Sequence, residues 1–171
     1  MSYVRLLSAE SRLSEFDEDN AKEMERKKLS TLSKSIVEPN VFKKGLEKIG
    51  KSWNGLYVYL KMNLDSKHLR SIRGIEAFNQ IVDLDISNNE INSLKPLSNL
   101  KHLFKLDASH NLLTTMFDFE PPANIMYVNY SNNQLTKIDN LKSHKYLHTL
   151  ILDNNLISKI ENFNSNPSLK V

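Results

Sequence analysis

The chain repeats itself every 22 residues. From Ile81 the apolar side chains fall at Ile81, Leu84, Ile86, Ile91, Leu94, Leu97 and Leu100, around Asn89. The next unit answers with Leu103, Leu106, Ala108, Leu113, Met116 and Phe119 around Asn111. A third runs Ile125, Val128, Tyr130, Leu135, Ile138 and Leu141 around Asn133, and a fourth Leu147, Leu150, Leu152, Ile157, Ile160 and Phe163 around Asn155. An earlier unit, Tyr59, Met62, Leu64, Leu69, Ile72, Ile75 and Phe78, keeps the apolar positions and carries Lys67 where the others have asparagine. A unit this short cannot bury its apolar face alone, so successive units must stack and share one core. The pattern predicts an α/β solenoid of about five units.

Each position has a physical reason. Two apolar residues spaced by two, such as Leu84 and Ile86, read as a short strand with both side chains turned inward, and stacking makes these strands a parallel sheet. The asparagine ends the strand, where its amide can satisfy backbone donors and acceptors and build a ladder between units. Apolar residues then recur every third position, the spacing of short 3₁₀ turns on the convex side. Pro121 and Pro122 fall on that side and predict an extended stretch there.

Ahead of the repeats, residues 1–13 show no periodicity and read as a mobile N-terminus. Residues 14–55 read as a helical extension and cap, and 56–171 as the repeat domain. Within the extension, acidic residues near Asp17 and basic ones near Lys27 suit a helix over about 15–37. A second helix is expected over 40–49, with Phe42, Leu46 and Ile49 on one face and Gly50 as its stop. It would cover the first unit's open end. At the other end the last residues, Leu169, Lys170 and Val171, read as the start of a sixth strand. That predicts an end covered by a partner or by further repeats.

Composition removes several function classes. There is no cysteine, which excludes disulfides, thiolate metal sites and a cysteine nucleophile. The four glycines are isolated, so no phosphate-binding loop can be written. A net charge of +3 gives no strongly basic face for nucleic acid, and no apolar run has the length of a membrane span. His68, His102, His110, His144 and His148 are scattered; His144 and His148, four apart, lack a third ligand. No catalytic, cofactor or metal site is expected.

The repeat resembles the leucine-rich repeat in its short, cysteine-free intracellular class, which includes type 1 phosphatase regulators and axonemal dynein-associated proteins. Upstream of the array, Gly45-Leu46, Lys51, Asn54-Gly55-Leu56, the strand Tyr59-Leu60-Lys61 and Leu69 are similar to the leucine-rich-repeat proteins of ciliary radial spokes. Leu113-Thr114-Thr115-Met116, followed by Phe119, Pro121, Pro122 and Asn124, resembles the repeat region of sperm guanylate-kinase-domain proteins, without the kinase domain. The resemblance implies a non-catalytic structural component of the motile-cilium axoneme, in cytoplasm and cytoskeleton, bound to radial-spoke or other axonemal proteins. The alternative it implies is a soluble regulatory subunit of a type 1 phosphatase or a similar signalling partner.

Partners are expected on the concave face of the sheet. The strand residues between the inward apolar ones form one column of Lys61, Asp83, Lys105, Tyr127 and Thr149. A second holds Asn63, Asp85, Asp107, Asn129 and Ile151. Asp83, Asp85 and Asp107 with Tyr127 beside them suit a basic helix or tail, and charge reversal at Asp85 and Asp107 is expected to leave the array folded.

Overall fold

The computed structural model describes residues 39–52, 55–139, 141, 144–162 and 169. The expected mobile N-terminus and the helix over 15–37 lie outside the described residues. One short helix, α1 (Pro39–Lys44), precedes a two-stranded hairpin of β1 (Ile49–Lys51) and β2 (Tyr57–Tyr59). Five more strands follow: β3 (Lys61–Asn63), β4 (Asp83–Asp85), β5 (Lys105–Asp107), β6 (Tyr127–Asn129) and β7 (Thr149–Ile151). They form one parallel sheet in chain order. Each strand begins 22 residues after the last, and the register advances without a slip.

The core is what the period demands. Met62, Leu84, Leu106, Val128 and Leu150 stack as one fully buried row, and beside it Leu64, Ile86, Ala108 and Tyr130 form another. Ala108 is the smallest member of that row and adjoins the largest, so neighbouring layers trade volume. The buried Tyr130 hydroxyl donates to the Met116 carbonyl at 2.6 Å, which satisfies the polar end of an otherwise apolar side chain.

The convex chain carries 3₁₀ turns at Ile75–Ala77 and Lys95–Asn99. After β5 the segment with Pro121 and Pro122 runs without a helical turn, because proline supplies no N–H and forces its predecessor out of the helical region. Phe117 packs there against Phe119, edge-on to Tyr130, and face to face with His144 at 4.6 Å and 8°.

The second helix is shorter than expected, and this changes what covers the first unit. Beyond Lys44 the chain is extended: Leu46 pairs with Met62, and Ile49 and Lys51 pair with Tyr59 and Tyr57, all antiparallel. The Asn63 N–H donates to the Gly45 carbonyl at 2.7 Å, Glu47 N–H to Lys61 at 2.9 Å, and Leu60 N–H to Lys48 at 2.7 Å. Residues 45–47 thus close the outer edge of β3 with backbone instead of a helix, and past Lys48 and Leu60 the bonding phase switches, so that β1 and β2 form a sheet of their own. Gly45 permits this, since a Cβ there would collide with the Asn63 carbonyl oxygen. Phe42 of α1 still reaches the core, 1% exposed, 5.9 Å from Phe78.

Among the described residues two apolar positions of the repeat are exposed, and Phe78, Leu152 and Ile157 are only partly buried against the core. Tyr59 is 43% exposed because its antiparallel partner keeps it extended where other units turn in from the convex side. Ile160, in the last unit, is 83% exposed.

Candidate protein-binding face

The open face of the sheet carries two rows fixed by strand pairing. Lys61, Asp83, Lys105, Tyr127 and Thr149 are direct register partners, as are Asn63, Asp85, Asp107, Asn129 and Ile151. Every sequence-expected site residue stands in its expected row.

The first row is the more adaptable. Lys61 meets Glu47 at 3.0 Å; this hydrogen bond raises the lysine above its ordinary pKa and lowers the carboxyl below its own. The Lys105 ammonium lies 5.3 Å from the centre of the Tyr127 ring, a cation–π arrangement that positions both. Burial pushes the Tyr127 phenol upward, with Asp107 adding to the shift. Both cations of the row are thus engaged with neighbours, while Asp83 adds negative charge between them.

The second row is partly architectural. Asp85 Oδ1 accepts from the Ser87 N–H at 2.9 Å and its hydroxyl at 2.6 Å. Asp107 Oδ1 does the same for Ser109 at 3.1 and 2.7 Å, and Asn63 and Asn129 hold the N–H groups of Asp65 and Ser131. Asp107 Oδ2 also accepts from Asn129 Nδ2 at 3.1 Å. These side chains turn the backbone as it leaves each strand. Charge reversal at Asp85 or Asp107 would therefore disturb the turns, contrary to the expectation from their position outside the core.

Immediately past the turns, Ser66, Asn88, His110, Asn132 and Asn154 take left-handed φ angles between 52° and 55°, the conformation asparagine tolerates best after glycine. Their side chains link units: Asn88 Nδ2 donates to Asp65 at 2.8 Å, Asn154 Nδ2 to Asn132 at 3.0 Å, and Asn132 Nδ2 stands 3.2 Å from His110 Nε2. Burial lowers the pKa of the His144 ring, and His148 sits beside Thr149, so the histidines occupy separate environments. Among the described residues no group of three or more His, Cys, Asp or Glu is placed to hold a metal ion, and no helix is long and apolar enough to cross a membrane.

Sequence reasoning missed a third row. Leu60, Val82, Phe104, Met126 and His148 precede the strands, and each of the last four donates its N–H to the carbonyl of its predecessor at 2.8–2.9 Å. Phe104 is 45% exposed at its centre. The signal was a residue outside the core directly after the first apolar position of each unit, apolar in four of the five.

A 22-residue unit with one parallel strand, an asparagine ladder and a shared core defines a leucine-rich-repeat solenoid. The fold is shared with solved internalins of Listeria monocytogenes. The internalin inlF of strain 4b F2365 matches with a TM-score of 0.58 and 20% identity, over 66% of this chain and 33% of that one. The functional domain of InlJ, which includes a cysteine ladder, matches with a TM-score of 0.56 and 20% identity, over 66% and 24%. This chain therefore matches about a third or less of their lengths, and it has no cysteine. No protein-family model and no curated protein sequence matches it.

Proposed function

We propose that the chain is a non-catalytic protein-binding scaffold whose concave face takes a basic segment of a partner, and that it serves in the motile-cilium axoneme beside radial-spoke proteins. The observation that carries the reading is the pair of fixed rows. Lys61 is engaged by Glu47 and Lys105 by Tyr127, so Asp83, Asp85 and Asp107 set the sign of the face next to one aromatic anchor. A surface already ordered by backbone pairing loses little conformational entropy on binding. The axonemal placement is supported by the resemblance carried by residues 45–69 and by the Pro121-Pro122 unit.

The test is a tagged chain expressed in motile ciliated cells and followed through detergent extraction. Retention with the axoneme is expected, and Asp83→Asn with Tyr127→Ser should cut it about tenfold, as loss of a central anchor does. Neither substitution touches the turn-holding carboxylates. A chain that washes out with soluble protein would instead fit a regulatory subunit such as that of a type 1 phosphatase.

A further inference from the structure

We propose that the projecting half of the hairpin, β1 with β2, is a second docking surface, made for an acidic segment of a partner protein that also offers an apolar side chain. This goes beyond the concave-face reading and does not depend on it. Side chains alternate along an antiparallel pair, and the register of β1 with β2 puts Ile49 and Lys51 on the same side as their partners Tyr59 and Tyr57. Ile49 is 57% exposed, Tyr57 75% and Tyr59 43%. The opposite side is closed inward, because a Cβ on Gly50 would collide with Leu60.

The charges in this stretch of the chain are almost all of one sign. Residues 39–60 include Lys43, Lys44, Lys48 and Lys51, all exposed, against a single carboxylate, Glu47, which Lys61 already holds at 3.0 Å. Lys51 lies over the Tyr57 ring at 5.5 Å, so its ammonium and the ring present together. Lysines that merely protect a sheet edge from aggregation need no exposed tyrosines and isoleucine between them. Lys51 beside the aromatic anchors, in a stretch of chain rich in lysine, is the complement of an acidic, partly apolar segment. It is also opposite in sign to the Asp83, Asp85 and Asp107 face, so one segment cannot suit both.

The test selects a phage-displayed library of random dodecapeptides on the full chain. Peptides carrying Asp or Glu beside an aromatic or aliphatic residue are expected, with binding that weakens as salt rises. Tyr57→Ser with Tyr59→Ser, and separately Lys51→Glu, should each lower affinity about tenfold, while Tyr57→Phe keeps it and thermal melting shows that all variants fold. Asp83→Asn with Tyr127→Ser should leave this binding unchanged; if that variant abolishes it, the peptides sit on the concave face and the hairpin proposal fails. Recovery of net-basic peptides, indifference to Tyr57 and Tyr59, or no recovered peptide would overturn it too. So would a concentration-dependent dimer lost in the tyrosine variant, which would assign the surface to a second copy of the chain.

Discussion

Asparagine performs two jobs in adjacent residues, and this explains the doublets Asn88-Asn89, Asn132-Asn133 and Asn154-Asn155. The first residue accepts a left-handed backbone, and the second joins two units. Asn111 Oδ1 accepts from the Ile91 N–H at 2.9 Å, while its Nδ2 donates to the carbonyls of Ile86, Ala108 and Ser109. Asn111→Ala should lower stability by about 1–3 kcal/mol, the cost of leaving buried groups unpaired, read as a fall in the urea midpoint. Asn155→Ala should cost less, since that amide is only half-buried. His144 supplies a pH dependence. It is 6% exposed, its Nδ1 has no hydrogen-bond partner among the described residues, and burial lowers its pKa from the ordinary 6.5. Below that ordinary value the unfolded chain takes up a proton that the folded ring refuses, so stability falls. The loss begins as pH drops through about 6.5 and levels off once the folded ring protonates. His144→Phe should flatten this part of the profile in urea titrations across the range, and an unchanged slope would remove His144 as its source.

At the level of elements, the parallel strands were legible to the residue because a period of 22 with paired inward positions has one register. The hairpin was not. Tyr59 fits the first apolar position of a unit, and Phe42, Leu46 and Ile49 fit a helical face, so local pattern alone favours a repeat preceded by a helix. What decides otherwise is non-local: Gly45 and Gly50 allow close approach to Asn63 and Leu60, and the β-favouring run Tyr57-Val58-Tyr59 lies opposite. The candidate face was legible in its members but not in its division of labour, since nothing in the pattern separates the turn-holding Asp85 and Asp107 from Asp83. The left-handed ladder was hidden for a similar reason: its positions vary among Ser, Asn and His while the backbone angle stays constant. Gly45→Ala tests the hairpin account. The new methyl group must push residue 45 from β3, so a loss of about 1–3 kcal/mol is expected, as for overpacking of a tight site, seen as a lower melting temperature. Gly55→Ala should be milder, because only its positive φ of 81° is strained and nothing lies within contact of the added carbon.

For the whole repeat array, stability follows from nearest neighbours. Each unit touches only the next, so opening an interior unit breaks two interfaces and opening a terminal one breaks fewer. The two ends of the described sheet differ in this respect. At β3 the antiparallel segment 45–48 supplies backbone partners, so Leu60 and Asn63 donate toward it while Leu64 donates to Asp85 on β4. β3 thus behaves as an interior strand although it begins the sheet. Among the described residues β7 pairs with β6 alone, and around it Leu156 and Ile160 are largely exposed. Local opening should accordingly be graded along the array. In amide hydrogen exchange under native conditions, Leu64, Asp83, Lys105 and Tyr127 should exchange slowly and at similar rates, whereas Thr149, bonded to Met126 across a single interface, should exchange markedly faster. Gly45→Ala should then speed exchange at Leu64 more than at Tyr127. Equal protection at Thr149 and Lys105 would show that the array opens only as one cooperative body. Rapid exchange at Leu64 in the unaltered chain would show that the hairpin does not guard the first strand.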